Sequence, residues 1–320
     1  MNHEFDSARI TVPALDEILG QEFKVLDHGF VRVVDYMGGD SAVVQAARVS
    51  YGKGTKKISQ DRGLIRYLLR HRHTTPFEMC EIKLHIKLPI FIARQWIRHR
   101  TASVNEYSAR YSLLDNEYYV PDRDAALSLD ASQQTKESVA TSMGVIAAQS
   151  SDNKQGRGEA LSAEEAAEAR RVIAESGEVA YATYLNLLNE NAAGEKIDAE
   201  RAGLAREFAR IVLPTSYYTQ WYWKIDLHNL LHFLSLRLHK HAQLEIRAYA
   251  EVIADIVSKW VPLTWEAFLD YRKNSVELSA QEFAAIKEML SGLAVDRESS
   301  GLSDREWKEF SEKFDLPTGN

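Results

Sequence analysis

Residues 80–88 alternate strictly between apolar and polar side chains, a pattern that limits the local structure of this chain more tightly than any other. The apolar positions are Cys80, Ile82, Leu84, Ile86 and Leu88. Successive side chains of a strand point to opposite faces, so this alternation predicts a half-buried strand. Cys80 falls on its buried side. Pro89 ends the strand, and an apolar helix begins at Ile90.

The remaining patterns predict a fold dominated by helices. A strand pair is expected over 24–36, and the aromatic run 216–223 is strand-like. Residues 123–160 are rich in Ser, Ala, Gln and Gly, which is typical of an insertion that forms a surface loop. We expect an α+β fold, a mixed helix-rich domain with a small sheet. Helices are predicted over about 41–49, 59–70, 162–190, 197–212, 226–239, 242–259 and 264–271, with weak amphipathic helices beyond 275.

Composition excludes several classes of protein. Cys80 is the only cysteine among 320 residues, which rules out a disulfide framework and cysteine-rich zinc sites and fits a reducing cytoplasm. The net charge of −7 argues against general nucleic-acid binding. No run approaches the roughly 18 apolar residues of a membrane-spanning helix, and the first ten residues do not resemble a signal peptide. We therefore expect a soluble, cytoplasmic protein.

Charge is unevenly distributed along the chain. Between Asp61 and Tyr111, ten Lys or Arg residues stand against four acidic residues, so this segment carries +6 and the remainder −13. A basic segment in an acidic protein predicts a local anion site. The favoured interpretation of Arg62, Arg66 and Arg70 is different. Their spacing of four residues is typical of a solvated helix face.

The stretch RQWIRHRTASVNEYSARY (94–111) concentrates groups suited to a nucleotide. The planar guanidinium of arginine matches phosphate oxygens, and several arginines together can bind a diphosphate. Serine, asparagine and the single carboxylate supply hydrogen bonds that suit a nucleobase or ribose edge. A solvated loop of this composition is the alternative, although such loops rarely contain so much arginine with so little lysine or glycine.

Within this stretch, Arg98-His99-Arg100 is followed after seven residues by Ser108. That signature resembles the flavin-dependent thymidylate synthases, and further segments are similar to the same family. They are AARVS (46–50), RHRHTTPFE (70–78), REFARIVLP (206–214) and HNLLHFLSLRLHKHAQLEIR (228–247). Several motifs in the expected order are specific, where one alone would be weak. The resemblance covers about 24–122 and 175–270.

The resemblance implies an enzyme of known reaction type. Family members are homotetramers with active sites at subunit interfaces. They are methyltransferases that move a one-carbon unit from methylenetetrahydrofolate to C5 of dUMP, giving dTMP, with FAD reduced by NADPH. We accordingly expect a single catalytic domain over 1–320, with a core of about 24–122 and 175–270, an insertion of about 123–160 and a C-terminal extension of about 275–320. Nucleic acid, a membrane and a metal ion are not expected as partners.

The resemblance also assigns roles to individual residues. The catalytic residues would be Ser108, His73 and Arg237. FAD would be bound by Ser50, His73, Thr75, Arg98, His99, Arg100, Glu106, His228 and His232. The nucleotide would be bound by Gln95, Arg98, Glu106, Ser108, Ala109, Arg110, Arg210 and Arg237. Thr75 precedes proline, so its backbone is expected to be extended, in a loop between a helix and a strand.

Arg237 and Ser108 each have an alternative interpretation. Arg237 borders the apolar face of its helix and needs an anionic partner, which a structural salt bridge would also provide. Ser108 could act as a nucleophile, but nothing in the spacing supplies the adjacent base it would need, and a reduced flavin delivering hydride makes a protein nucleophile unnecessary. We therefore assign Ser108 to substrate positioning.

His228 and His232 have the i, i+4 spacing of a helical metal pair, but no third ligand is evident in the sequence. Many family members carry other residues at these positions and at Asp226, so the sequence departs there from the common family pattern. Two other functions stay open. One is a metal-dependent nucleotide hydrolase using these histidines, and the other is a non-catalytic module that binds nucleotides through 94–111.

Overall fold

A five-stranded antiparallel sheet organises the protein. The computed structural model describes residues 9–49, 58–121, 146–151 and 156–316. The strand order is β1-β2-β3-β7-β4, and a two-stranded sheet pairs β5 with β6. The strands are β1 Glu22–Val25, β2 Gly29–Met37, β3 Glu81–Pro89, β4 Ser103–Glu106, β5 Ala147–Gln149, β6 Arg157–Ala160 and β7 Tyr218–Asp226. The predicted α+β class with a small sheet is confirmed.

Strand β3 lies at the centre of the sheet, between β2 and β7. Its side chains alternate between buried and half-buried positions, as the sequence pattern predicts. Strand β7 pairs with β3 over its whole length, from Glu81 opposite Asp226 to Pro89 opposite Tyr218. Cys80, just before β3, is fully buried, and its Sγ donates to the carbonyl of Gly39 over 3.4 Å.

The chain separates into two compact units, Met1–Phe268 and Leu269–Asn320. The prediction of a single domain stays a prediction. Helices of the first unit are α1 Pro13–Asp16, α2 Asp40–Val49, α3 Ile58–Arg70, α4 Thr75–Glu78, α5 Ile90–Trp96, α6 Ala163–Leu188, α7 Arg206–Ala209, α8 Leu227–Arg237, α9 Leu244–Trp260 and α10 Pro262–Phe268. Among the described residues, none of the helices combines the length and apolar character needed to cross a membrane.

Aromatic side chains fix the packing of α5 and α8 on the sheet. Trp96, at the end of α5, is fully buried, stacks on Phe233 of α8 at 4.7 Å between ring centroids, and meets Trp223 of β7 edge-on at 5.2 Å. Large aromatic side chains dominate the burial energy of such cores. Helix α9 lies against β1 and β2. Because Gly29 has no side chain, the Tyr249 hydroxyl can approach it closely. This hydroxyl donates to the carbonyl of Lys87 over 2.7 Å.

The second unit is a small helical assembly with its own core. Its helices are α11 Ala280–Leu290, α12 Arg297–Ser300 and α13 Asp304–Lys313, preceded by a π-helical turn over Leu269–Lys273. Ala285, Leu302 and Phe310 form the buried centre. The amphipathic helices predicted beyond 275 are confirmed.

Three local expectations were wrong. Helix was predicted over 197–212, but only Arg206–Ala209 and a 3₁₀ turn at Arg210–Val212 are helical. The preceding loop is held instead by Asn189, whose Nδ2 donates to the carbonyls of Asp198 and Arg201, each over 2.7 Å. Such side-chain bonds to the backbone compete with helix formation.

The second wrong expectation concerns Thr75, which is the first residue of α4 and not extended. Proline is tolerated in the first helical turn because its missing N–H would have no partner there. The third concerns the end of the insertion, where a loop was expected. Strands β5 and β6 pair there, with Ala147 opposite Ala160 and Gln149 opposite Arg157.

Candidate active site

The signature residues follow α5 in a tight turn. Because Trp96 is locked in the core, the chain leaves α5 at a fixed point, and the N–H of His99 donates to the carbonyl of Trp96 over 2.9 Å. Arg98 and Arg100 are exposed, whereas His99 is half-buried between them. No acidic side chain of the described residues pairs with either arginine. Two cations therefore face solvent where a phosphate could bind.

His99 lies over α8. Its ring centroid is 5.7 Å from that of His232 and 5.5 Å from that of Phe233, and its Nε2 is 3.1 Å from the Thr101 hydroxyl. Burial lowers the pKa of His99, and the neighbouring His232 lowers it further. His99 is therefore held as a neutral imidazole near pH 7, able to donate or accept a hydrogen bond without adding charge.

Asp226 caps the N-terminus of α8, and this cap engages both of its carboxylate oxygens. Its Oδ1 accepts from the N–H of Asn229 over 2.9 Å, and its Oδ2 accepts from Asn229 Nδ2 over 2.7 Å. Such a cap satisfies donors that a helix start leaves unpaired. His228 is half-buried and His232 exposed on the same helix. In the part of the chain that the structure describes, no group of three or more His, Cys, Asp or Glu side chains could hold a metal ion.

Arg237, at the end of α8, is a half-buried cation without an acidic partner in the described part of the chain. Its Nε is buried and makes no hydrogen bond, and no described side chain forms an ion pair with it. Burial lowers the pKa of this guanidinium, with no opposing carboxylate. The structural salt bridge considered from the sequence is therefore not found among the described residues. Gln95, on α5, also has a buried side-chain oxygen without a partner. Unpaired buried polar groups of this kind are typical of ligand sites.

Glu106 ends β4, the short edge strand beside β7. It lies opposite Trp221 in the ladder, and its Oε1 accepts from the hydroxyl of Thr219 over 2.8 Å. The neighbouring N–H of Tyr107 donates to the carbonyl of Gln220 over 2.8 Å and extends the pairing. The carboxylate is consequently held at one oxygen and exposed to solvent at the other.

The next three residues lead from β4 towards α7. Ser108 Oγ accepts a long bond of 3.4 Å from the N–H of Arg110, and the structure gives it no histidine or carboxylate partner among the described residues. Ala109 packs at the edge of an apolar cluster around Tyr184. Arg110 lies 3.4 Å from Glu207 of α7, and Arg210 directly follows that helix. Helix α7 therefore brings Arg110 and Arg210 to one region.

The candidate residues form two groups at opposite ends of β4. Ser103 lies opposite Lys224, close to where β7 leads into α8, whereas Glu106 lies opposite Trp221. The segment 98–100 and α8 thus meet at one end, and 108–110 with Arg210 at the other. Among the described residues, no hydrogen bond or ion pair joins the two groups.

His73 and Thr75 are exposed at the start of α4. The His73 ring stacks on Tyr67 of α3 with 5.9 Å between centroids, and the backbone N–H of His73 donates to the carbonyl of Leu68 over 2.9 Å. Helix α4 packs against α8, so these residues approach the helix that also contacts His99. Ser50 lies outside the described residues.

The favoured interpretation, a solvated helix face, describes the exposed Arg62 but not Arg66, which is partly buried. Both Arg62 and Arg66 form ion pairs with Glu266 of α10, so they are structural and not part of the anion site.

Thr219 contacts the candidate residue Glu106, although the sequence patterns did not predict this contact. Its signal was present: Thr219 is the polar member of the otherwise apolar buried set Thr219, Trp221, Trp223 and Ile225 on β7.

The fold is of the α+β class, and the described part of the site contains arginines without an acidic partner, a feature that suits an anionic ligand. The sequence model of the thymidylate synthase complementing protein family matches residues 32–263. A flavin-dependent thymidylate synthase of Rickettsia bellii is 56% identical over 304 residues, 95% of this chain and 97% of that one. One of Ruegeria pomeroyi is 52% identical, covering 97% and 93%.

A solved structure agrees with this result. The UMP/dUMP methylase PolB of Streptomyces cacaoi, bound with 5-Br dUMP, superposes with a TM-score of 0.63 at 34% identity, over 79% of this chain and all of that one. The chain belongs to the flavin-dependent thymidylate synthase family.

Proposed function

We propose that this protein catalyses the reductive methylation of dUMP to dTMP, with FAD as cofactor, methylenetetrahydrofolate as carbon donor and NADPH as reductant. One observation carries the proposal at the level of the site: Arg237 is half-buried, desolvated and without an anionic partner in the described chain. A buried cation without a partner is costly, and a phosphate or uracil oxygen would satisfy it. The relatives that share this architecture are named for this reaction.

The residues around α8 fit a flavin nucleotide. Among the described residues, Arg98 and Arg100 have no acidic partner, so their guanidinium groups are available to the flavin phosphates. His99 is neutral and can form a hydrogen bond without adding charge to the site. We assign His228, His232, His73 and Thr75 to the same cofactor, together with Ser50 and Glu106. Asp226 has both oxygens engaged by Asn229, so we do not assign it to FAD. Bound FAD, reduced by NADPH, supplies the hydride that this methylation requires.

The second set of residues fits the nucleotide substrate. Arg110 and Arg210 serve its phosphate, since the exposed ion pair of Arg110 with Glu207 is weak and can be exchanged for a ligand. Arg237 and Gln95 offer unpartnered polar atoms to the base. Arg98, Glu106, Ser108 and Ala109 complete the proposed substrate site. Of the three residues named as catalytic, Ser108 lacks a base and acts in positioning, while His73 and Arg237 orient the reactants.

The division of the site supports a homotetramer with active sites between subunits. The segment 98–100 with α8, assigned to the flavin, and Arg110 with Arg210, assigned to the phosphate, lie at opposite ends of β4. Among the described residues, no hydrogen bond or ion pair joins the two sets. A neighbouring subunit would supply the complementary half of each site. The cytoplasm is the proposed location, because a protein with one buried thiol needs no oxidising compartment.

A test of this function uses the purified protein. The protein should be yellow, and single-turnover mixing of its reduced FAD form with dUMP and methylenetetrahydrofolate should yield dTMP. Loss of turnover in Arg98→Met and Arg237→Met, with the fold retained, would tie the reaction to this site. A colourless protein that binds no added FAD contradicts the proposal. Binding of dUMP without conversion would favour the non-catalytic module, and hydrolysis stimulated by added metal would favour the hydrolase.

A further inference from the structure

Thr219 connects the interior of the sheet to the exposed carboxylate of Glu106. It lies on β7, its side chain is buried with 6% of the residue exposed, and its hydroxyl donates to Glu106 Oε1 over 2.8 Å. Neither the motifs in the sequence nor the resemblance assigns a role to Thr219.

Strand geometry explains why these two residues meet. Glu106 pairs with Trp221, so its side chain lies on the same face of the sheet as Trp221 and, two residues away, Thr219. Diagonal neighbours of this kind are within reach of a long side chain. Because β4 ends at Glu106, the carboxylate reaches past the edge of the ladder towards solvent. The threonine has the fixed backbone of an interior strand, whereas the glutamate lies on a short edge strand and has no second hydrogen-bond partner among the described residues.

From this contact we infer that Thr219 is a positioning residue for the nucleotide substrate: it fixes one oxygen of Glu106 so that the other is presented as a hydrogen-bond acceptor to a donor group of dUMP. The inference rests on the proposed function. A free glutamate side chain loses considerable rotamer entropy when it binds a ligand. Holding one oxygen in advance reduces that loss and selects one orientation.

A role in stability alone is a poor explanation of the contact. Glu106 is exposed, so its oxygen would be hydrated by water if the threonine hydroxyl were removed. Valine has the shape of threonine and suits a buried strand position. The unfolding midpoint should therefore change little in Thr219→Val, while substrate binding weakens.

The test compares Thr219→Val with Thr219→Ser in the FAD-loaded full-length protein. Dissociation constants for dUMP come from titration calorimetry, and KM and kcat from turnover. We expect Thr219→Val to raise both the dissociation constant and KM for dUMP by about three- to tenfold, the effect of one hydrogen bond, with kcat changed less. Thr219→Ser keeps the hydroxyl and should stay within about twofold of wild type. Thr219→Ala removes the same hydroxyl and serves if the valine variant folds poorly.

A second arm shows whether the effect passes through Glu106. In a Glu106→Ala background, Thr219→Val should cause no further loss of dUMP affinity, because interacting residues are not additive. Unchanged dUMP affinity in Thr219→Val, or an equal loss in both backgrounds, overturns the inference while leaving the proposed function intact. A wild-type protein that neither binds nor converts dUMP overturns both, and that result is distinct from the others.

Discussion

The imidazole of His99 lies 5.7 Å, centroid to centroid, from that of His232 on α8, within the charge field of Arg237. Burial and these two neighbours lower the pKa of His99, while a hydrogen bond with the backbone of Asn229 and, to a smaller extent, the charge of Asp226 act in the opposite direction. The folded protein therefore resists protonation of His99 more than the unfolded chain does, and this difference links stability to pH.

Acidification should destabilise the protein partly through His99. Its stabilising contribution is fully present above the ordinary histidine pKa of about 6.5 and is lost as the pH falls through the lowered value of the folded state. We expect the free energy of unfolding to fall less steeply between about pH 6.5 and 5 in His99→Gln than in wild type. Chemical denaturation at a series of pH values measures this, with His28→Gln as the control at an exposed histidine. Parallel pH profiles for wild type and His99→Gln would contradict the prediction.

Arg237→Met should weaken dUMP binding without lowering the stability of the folded protein. Because the guanidinium is desolvated and has no acidic partner in the described chain, its removal should leave the unfolding midpoint within about 2 °C of wild type or raise it. Affinity for dUMP should fall by about 30-fold or more, the effect of losing one partner of a buried charged pair. The matched control is Arg62→Met, which breaks the exposed pair with Glu266 and should leave dUMP binding unchanged. A large loss of stability in Arg237→Met would indicate a structural partner instead.

Cys80→Ala should leave turnover largely intact. The thiol is fully buried, and burial raises its pKa to about 12, so it carries almost no thiolate at neutral pH. We expect a stability loss of about 1 kcal/mol from the lost packing and a kcat within about twofold of wild type. Thermal unfolding and steady-state rates measure the two effects. Abolished turnover in a folded variant would favour a mechanism with a cysteine nucleophile.

Ser108→Ala should affect substrate binding more than the chemical step. No base is positioned at Ser108 among the described residues, so its hydroxyl contributes a hydrogen bond and not a nucleophile. KM for dUMP should rise by about three- to tenfold, with a smaller fall in kcat. Parallel measurement of dUMP affinity separates the two roles. Intact binding with no catalysis would show that the positioning role is wrong.

The end of the insertion should be fixed by an ion pair between the partly exposed Arg157 and a buried carboxylate. Glu245 of α9 is 4% exposed at its side chain and accepts from Arg157 of β6 and, over 3.3 Å, from the hydroxyl of Tyr119. Removing only the cation leaves a buried charge, so Arg157→Met should cost about 1–3 kcal/mol of unfolding free energy. The double variant with Glu245→Gln should recover part of that loss. An additive double variant would show that the two side chains do not interact.

Much of the fold follows from local patterns. The alternation over 80–88 specified β3 and the burial of Cys80, because the period of a strand is a property of neighbouring residues. The helix over 197–212 could not be excluded in the same way. Its replacement by a loop depends on Asn189 bonding to Asp198 and Arg201, contacts that exist only once the chain has turned back on itself.

The candidate site, like the fold, was predictable from the sequence only in part. The sequence by itself determined the arginine-rich signature at 98–100 and 108, and with it the family, since those residues are close along the chain. Only the tertiary structure decided which cations are available to a ligand. Arg66 is neutralised by Glu266, 200 residues further along, whereas Arg237 meets no described acid. An ion pair depends on distance in space, and folding alone sets that distance.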